Sequence, residues 1–180
     1  MRAVLDTCVI YPTVMREMLL GAAELGHFTP LWSSRILGEW ARAARKLGPE
    51  GEAQAEAEIA LTRAKWPKAE LEPAPGLERR LWLPDAADIH VLAVAIAGSA
   101  DAIITVNARD FPKHILAEEG LARLDPDSLL HGFWAKDPEG IRAVAERVLS
   151  EANRLSGDQW SMRGLMKKAR LPRLGKALER

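Results

Sequence analysis

The sequence has one cysteine, Cys8, among its 180 residues. A single cysteine cannot close an intrachain disulfide, and it cannot supply a metal-thiolate cluster. A chain of this length can bury most of its unfolded surface without such cross-links. The scarcity of cysteine therefore excludes a disulfide-stapled scaffold and favours a reducing compartment.

Long apolar runs are also absent. The N-terminal run stops after three residues at Asp6, which is too short for the apolar stretch of a signal peptide. The longest run, residues 89–97, contains His90 and is followed by Gly98, so it cannot span a bilayer. We therefore expect no membrane segment and a cytoplasmic location.

Several catalytic signatures are missing from the sequence. There is no HxxxH, CxxC, GxSxG or GxxxxGK[ST] pattern. Zinc, serine-hydrolase and P-loop chemistry therefore have no support from sequence motifs.

Charge is balanced overall but unevenly distributed. The chain has 25 basic and 25 acidic residues, yet its final segment is mostly basic. Such an asymmetry can mark an end that faces nucleic acid, although it is also typical of a solvated helix face. The candidate nucleic-acid-binding residues are Arg163, Lys167, Lys168 and Arg170, and the basic segment continues to Arg180.

Short apolar segments alternate with helical patterns along the chain. Candidate strands cover residues 3–5, 29–32, 102–106 and 121–124. Candidate helices cover residues 12–25, 34–47, 50–66, 85–98 and parts of 126–155, and Ser33 or Ser34 is the expected cap of the second of them. A proline- and glycine-rich loop lies at 67–76. Strands that alternate with helices predict a parallel sheet with helices on both faces.

Six acidic or amide side chains lie within these elements or at their ends. They are Asp6 after the first strand, Glu39 in the 34–47 helix, Asp85 and Asp88 at the start of the 85–98 helix, and Asn107 and Asp110 after the strand at 102–106. In a parallel sheet, ligands bind beyond the carboxyl ends of the strands, where the strand order reverses. If the strands at 3–5 and 102–106 are neighbours, the side chains that follow them meet at that point.

Clustered carboxylates favour one type of chemistry. They repel one another, and desolvation increases the repulsion. A hard divalent cation such as Mg²⁺ relieves it, because this ion prefers oxygen ligands and is typically held by carboxylates and substrate phosphate. Such an ion can generate hydroxide and stabilise the charge that develops on a phosphodiester. The pattern therefore favours phosphodiester hydrolysis.

The candidates also have ordinary structural explanations. Asp85 or Asp88 can be a helix cap, because aspartate is a preferred residue at that position. The two polar residues after the strand at 102–106 are typical of turns. Glu39 can be a solvated surface residue, and His90, flanked by apolar residues, is interpreted as a satisfied core histidine.

Four segments together resemble the PIN-domain nucleases, and they occur in the family's order. They are VLDTCVIYP at 4–12, WSSRILGEW at 32–40, DAADIHVLAVA at 85–95 and DAIITVNARDFP at 101–112. The resemblance implies a three-layer α/β/α fold with a central parallel sheet of about five strands. It also implies a nuclease domain over residues 1–130 and a C-terminal helical extension over residues 131–180.

The resemblance assigns roles to the same six side chains. Asp6 and Asp88 are the expected metal ligands, Glu39 completes the cluster, Asp110 or Asn107 fills the fourth position, and Asp85 competes with Asp88 for the third. The family further implies Mg²⁺ or Mn²⁺ as the cofactor and RNA as the substrate. It also implies a VapC-like toxin of a longer subgroup, held in check by an antitoxin protein encoded nearby. Whether the chain forms a homodimer stays open.

Two other functions compete with this interpretation. One is a PIN-fold protein that binds RNA or a protein partner but cleaves poorly, because Asn107 replaces an acid. The other is a phosphotransferase of a different α/β family. The segment Asp6-Thr7-Cys8 argues against it, because haloacid-dehalogenase-like phosphatases need a second Asp two positions after the first.

A protein partner would need an exposed apolar surface. The helix at 12–25 is the candidate, because its Val14, Met15, Met18 and Leu19 include flexible side chains suited to an adaptable interface. The alternative is that these four side chains pack onto the sheet.

Overall fold

The computed structural model describes residues 1–179. The strands are β1 (Arg2–Leu5), β2 (Thr29–Ser33), β3 (Glu70–Leu71), β4 (Ala102–Ile104) and β5 (Ala122–Leu124). They form one parallel five-stranded sheet in the order β3-β2-β1-β4-β5. The predicted α/β fold with a central parallel sheet is therefore confirmed.

The helices account for most of the remaining chain. They are α1 (Thr7–Ile10), α2 (Thr13–Glu24), α3 (Ser34–Ala44), α4 (Pro49–Lys65), α5 (Pro75–Glu78), α6 (Ile89–Ala97), α7 (Lys113–Glu118), α8 (Pro126–Lys136), α9 (Pro138–Ser156), α10 (Met162–Lys168) and α11 (Pro172–Leu178). Within residues 1–179, no helix combines the length and apolar character needed to cross a membrane. Arg180, the end of the predicted basic segment, lies outside the described residues.

The chain divides into two compact units, and the first contains the sheet except for Leu124, the last residue of β5. This unit comprises residues 1–11 and 29–123. Val4, Leu5 and Ile104 are fully buried, as expected for parallel strands that helices cover on both faces. The chain builds β2 and β3 on one side of β1, then returns to place β4 on the other side. β1 and β4 are hydrogen-bonded neighbours, as predicted, and the strand order reverses between them.

The second unit is helical and comprises residues 12–28 and 124–179. Within it, α2 packs against α8 and α9. Met15, Met18 and Leu19 are buried, and Val14 is half-buried. The predicted exposed apolar strip on this helix is therefore wrong, because its side chains fill the interior of the helical unit. The separate division of the chain at residue 130 stays a prediction.

One strand lies where the sequence predicts a loop. Residues 67–76 contain β3, and its two residues pair in parallel with Trp32 and Ser33 of β2. The Trp32 N–H also donates to the Ala69 carbonyl at 3.0 Å. Two residues are too few to show the period-two alternation by which strands are recognised. Only pairing with β2 makes this segment a strand.

Candidate metal centre

The reversal point of the sheet places Asp6 beside Thr105. Leu5 and Ile104 are partners in the parallel register, so the residues that follow them come together at the carboxyl ends of β1 and β4. The Thr105 hydroxyl donates to Asp6 Oδ2 at 2.7 Å, and the Asp6 N–H donates to the Ile104 carbonyl at 3.1 Å. Asp6 is almost fully buried. Its carboxylate is therefore oriented by the sheet and by a neighbouring hydroxyl.

Three further carboxylates form a cluster, those of Asp85, Asp88 and Asp110. Each offers an oxygen atom, and these atoms all lie within 4.8 Å of one another. Asp85 caps the 3₁₀ turn Ala86–Asp88 by accepting a hydrogen bond from the Ala87 N–H at 2.9 Å. Asp88 makes no capping hydrogen bond. Its carboxylate therefore has no competing role at the start of α6.

Asn107 connects this cluster to the end of β4. Its Nδ2 donates to Asp110 Oδ2 at 2.8 Å and makes a longer contact of 3.4 Å with Asp88 Oδ2. Its backbone N–H donates to the Thr105 hydroxyl at 2.9 Å. Of the two candidates for the fourth position, Asp110 contributes a carboxylate to the cluster. Asn107 contributes an uncharged amide that contacts both Asp110 and Asp88.

The pKa of Asp88 reports the electrostatics of the centre. Burial raises this pKa, and the charges of Asp6, Asp85, Asp110 and Glu39 raise it further, in that order, to about 6 from an ordinary 3.8. Carboxylates act on one another in this way only when they are close and poorly solvated. The five acids therefore share one neighbourhood, and Asp6 is the charge that acts most strongly on Asp88.

Glu39 lies in the same neighbourhood but has its own partners. The Thr7 hydroxyl donates to Glu39 Oε2 at 2.6 Å, and His90 Nε2 lies 2.8 Å from Oε1. The His90 contact has ion-pair distance but falls outside hydrogen-bond geometry. Burial would raise the pKa of Glu39, but the contacts with His90, Thr7 and Arg35 outweigh burial and lower it. These contacts hold the Glu39 carboxylate in its ionised form.

The sequence analysis missed several side chains of the centre. Thr7 and Thr105 orient Glu39 and Asp6, and the Cys8 thiol donates to Asp6 Oδ2 at 3.0 Å. Burial and then the charge of Asp6 raise the pKa of Cys8 to about 12. The sequence held one indication of their role, since Thr7 and Cys8 directly follow Asp6.

His90 was interpreted as a satisfied core histidine; it is buried, as expected, but its hydrogen-bonding capacity is not satisfied. Its side chain is only 1% exposed, yet its Nδ1 has no hydrogen-bond partner within residues 1–179. Its Nε2 faces the Glu39 carboxylate. His90 therefore belongs to the acidic centre, two residues after Asp88 in the sequence.

The carboxylate cluster fits a hard divalent cation. Two oxygens on opposite sides of a Mg²⁺ ion, each at about 2.1 Å, are about 4.2 Å apart. The observed limit of 4.8 Å therefore requires only small side-chain adjustments. A cation would also relieve the repulsion that raises the Asp88 pKa. Asp85, Asp88 and Asp110 are the residues that would hold it. The predicted ligand pair of Asp6 and Asp88 stays a prediction.

The predicted nucleic-acid-binding residues all lie in the second unit, and all are exposed. They are Arg163, Lys167 and Lys168 on α10, and Arg170 just after it. Arg163 pairs with Glu179 at 3.1 Å, and the Lys168 ammonium lies 4.5 Å from the centre of the Trp160 ring. Their exposure is compatible with RNA binding, which stays a prediction.

Comparison with known proteins identifies the family. A family model described as PIN domain matches residues 2–109. Searches of curated proteins and of solved structures found no match. The matched range contains β1, β4 and five of the six predicted site residues, and Asp110 directly follows it. Since the match covers more than half of the sequence, this chain belongs to the PIN-domain family.

Proposed function

We propose that this chain is a divalent-metal-dependent endoribonuclease that hydrolyses RNA phosphodiester bonds at the carboxylate cluster. PIN domains are usually metal-dependent nucleases. The observation that carries the proposal is the convergence of Asp85, Asp88 and Asp110 within 4.8 Å, with the pKa of Asp88 raised by burial and by the surrounding acids. Such an arrangement is unfavourable for the folded protein alone, and a bound cation offsets its cost.

The chain's own residues have distinct tasks in this proposal. Asp88, with Asp85 and Asp110, would hold Mg²⁺ or Mn²⁺, which when bound supplies an activated water and neutralises developing phosphate charge. Asp6 is oriented by Thr105, and its carboxylate faces the same neighbourhood. Glu39, kept ionised by its partners, can accept a hydrogen bond from water at the centre.

Asn107 favours a second candidate function. Its amide donates to Asp110 Oδ2 and so occupies one acceptor position of the cluster. An amide also adds no negative charge to attract a cation. A protein with this change would bind RNA or a protein partner and cleave RNA poorly. The two functions differ in whether RNA that is bound is also cut.

The cleavage experiment uses a labelled single-stranded RNA with Mg²⁺, with Mn²⁺ and with a chelator. We expect cleavage that needs the metal and that falls to the metal-free rate in Asp6→Asn and Asp88→Asn. The control is Glu72→Gln, a neutralised exposed acid of the same unit, which should cleave normally. Binding without cleavage by the unsubstituted chain would support the second candidate instead. Measuring Mn²⁺ binding by electron paramagnetic resonance tests the metal site independently of activity.

We further propose that the chain is a VapC-like toxin of the longer subgroup, silenced by an antitoxin protein. A cluster of carboxylates suits an arginine from a partner, because a guanidinium pairs bidentately with carboxylates and can displace a metal ion. Co-expression with the neighbouring open reading frame tests this proposal. If the proteins do not co-purify and the chain alone is harmless when induced, the toxin role fails, even if the nuclease activity is found.

A further inference from the structure

Trp82 is a tryptophan that the fold does not bury. Its exposed fraction is 65%, whereas Trp32 and Trp40 are buried in the first unit. Exposed leucines such as Leu61, at 70%, are ordinary features of a protein surface. An exposed indole is less ordinary, because tryptophan is highly buried on average and supplies a large flat face for contact.

The loop that carries Trp82 is held on both sides of it. Two residues before it, the Arg80 guanidinium donates two hydrogen bonds to the Glu119 carboxylate, at 2.8 and 3.0 Å. One residue after it, Leu83 is 2% exposed and anchors the backbone in the core. The indole is therefore displayed from a restrained segment, so a ligand that contacts it would lose little entropy in ordering the loop.

The same loop leads directly into the carboxylate cluster. Asp85 follows Trp82 by three residues, and its carboxylate is one of the three within 4.8 Å. Three residues of fully extended chain span at most about 11 Å. Trp82 is therefore only a few nucleotides of RNA away from any phosphodiester bound at the cluster.

Electrostatics favours a neutral contact at this place. Five acids surround the centre, so it repels a polyanion unless a metal ion is bound. Two nearby arginines are already paired, since Arg80 binds Glu119 and Arg35 lies 3.6 Å from Glu78. An aromatic face adds affinity for a nucleic-acid base without introducing a charge that would compete with the metal for the carboxylates.

We propose that Trp82 is a stacking platform for an unpaired base of single-stranded RNA whose phosphodiester lies at the Asp85, Asp88 and Asp110 carboxylates. The inference rests on the proposed nuclease function and adds to it a side chain that contacts a base of the RNA. Unpaired bases are exposed for stacking on aromatic side chains, whereas bases within a duplex are not. The platform therefore selects single-stranded over double-stranded RNA.

Binding is measured by fluorescence anisotropy with a short labelled RNA and the full chain carrying Asp88→Asn, in Mg²⁺, so that the RNA stays intact. We expect Trp82→Ala to weaken binding about tenfold, within the range known for one base stacked on an aromatic side chain. Trp82→Phe should retain most of the affinity, because a smaller aromatic face remains. Leu61→Ala, which removes an equally exposed apolar side chain of the same unit, should bind as the background does.

A series of RNAs with a single abasic position identifies the stacked base. At one position in the RNA, loss of the base should weaken binding to the protein that keeps Trp82. The same loss should leave binding to the Trp82→Ala variant unchanged. Equal affinity of the Trp82 and Trp82→Ala proteins would overturn the inference and favour Trp82 as a contact for a protein partner. The inference would also be overturned if Trp82→Ala weakened binding equally for every abasic RNA in the series. It would be overturned, too, if Trp82→Ala weakened the binding of duplex RNA as much as that of single-stranded RNA.

The two proposals fail in different ways. If the unsubstituted chain binds single-stranded RNA through Trp82 but does not cut it with any metal, the nuclease function fails and the platform stands. If the chain cuts RNA and Trp82→Ala has the same KM and Kd, the platform fails and the nuclease function stands.

Discussion

Replacing Asp88 with Asn should stabilise the metal-free protein at neutral pH. The folded protein raises the pKa of Asp88 to about 6, so it binds this proton more tightly than the unfolded chain, whose value is near 3.8. The group therefore contributes stability that is fully present below about pH 4 and is lost as the pH rises through about 6. Asn carries no charge at any pH, so the variant avoids that loss.

The size of the effect follows from the pKa shift. A shift of one pKa unit corresponds to about 1.4 kcal/mol, so the full rise would correspond to about 3 kcal/mol. Asp88 is only partly buried, and solvent screens its neighbours. We therefore expect Asp88→Asn to be more stable by about 1 kcal/mol at pH 8 in chelator, which is a rise in Tm of about 2–4 °C for a chain of this size.

The assay is thermal unfolding of both proteins, with chelator, across the range from about pH 4 to pH 8. The difference in Tm should be near zero at the acidic end and should grow until the pH passes about 6. Adding Mg²⁺ should raise the Tm of the unsubstituted chain more than that of the variant, because the metal binds the folded state. Glu72→Gln serves as the control and should change little at any pH. A variant that is less stable at pH 8, or one whose gain is the same at acidic pH, would refute the reasoning.

Two further predictions concern the thiol and the basic segment. Because the pKa of Cys8 is raised to about 12, native protein should resist alkylation by iodoacetamide at pH 8, as measured by mass spectrometry. Asp6→Asn removes a charge that raises the Cys8 pKa, so alkylation of this variant should be faster. Rapid labelling of the native unsubstituted chain would contradict this. If the basic segment binds RNA phosphates, Lys167→Gln combined with Arg170→Gln should reduce the slope of log Kd against log salt by about 1.4, since each lost contact accounts for about 0.7. An unchanged slope, equal to that of the control Lys46→Gln, would indicate another role for this segment. Deleting the whole segment is a poorer test than these substitutions, because the segment also carries buried apolar side chains.

Much of the fold was predictable because the relevant signals are local. After the exposed Arg2, β1 is continuously apolar, as is β4, and these apolar residues alone indicate strands that are covered on both faces. Ser33 was one of two predicted caps of α3, and its hydroxyl does accept the Ile36 N–H. The polar residues after β1 and β4 predicted where a site would form, because parallel strands end at the same edge of a sheet.

The sequence by itself therefore determined the α/β class, the order of the main elements and the acids that follow the strands, since each depends on a short stretch of chain. Only the tertiary structure decided which groups meet. β3 exists through hydrogen bonds to β2, and α2 is buried because α8 and α9 cover it. The contact of His90 with Glu39 joins residues far apart in sequence. The raised pKa of Asp88 depends on burial and on the charges of four other acids, three of which lie in other segments of the chain. No local pattern encodes that arrangement.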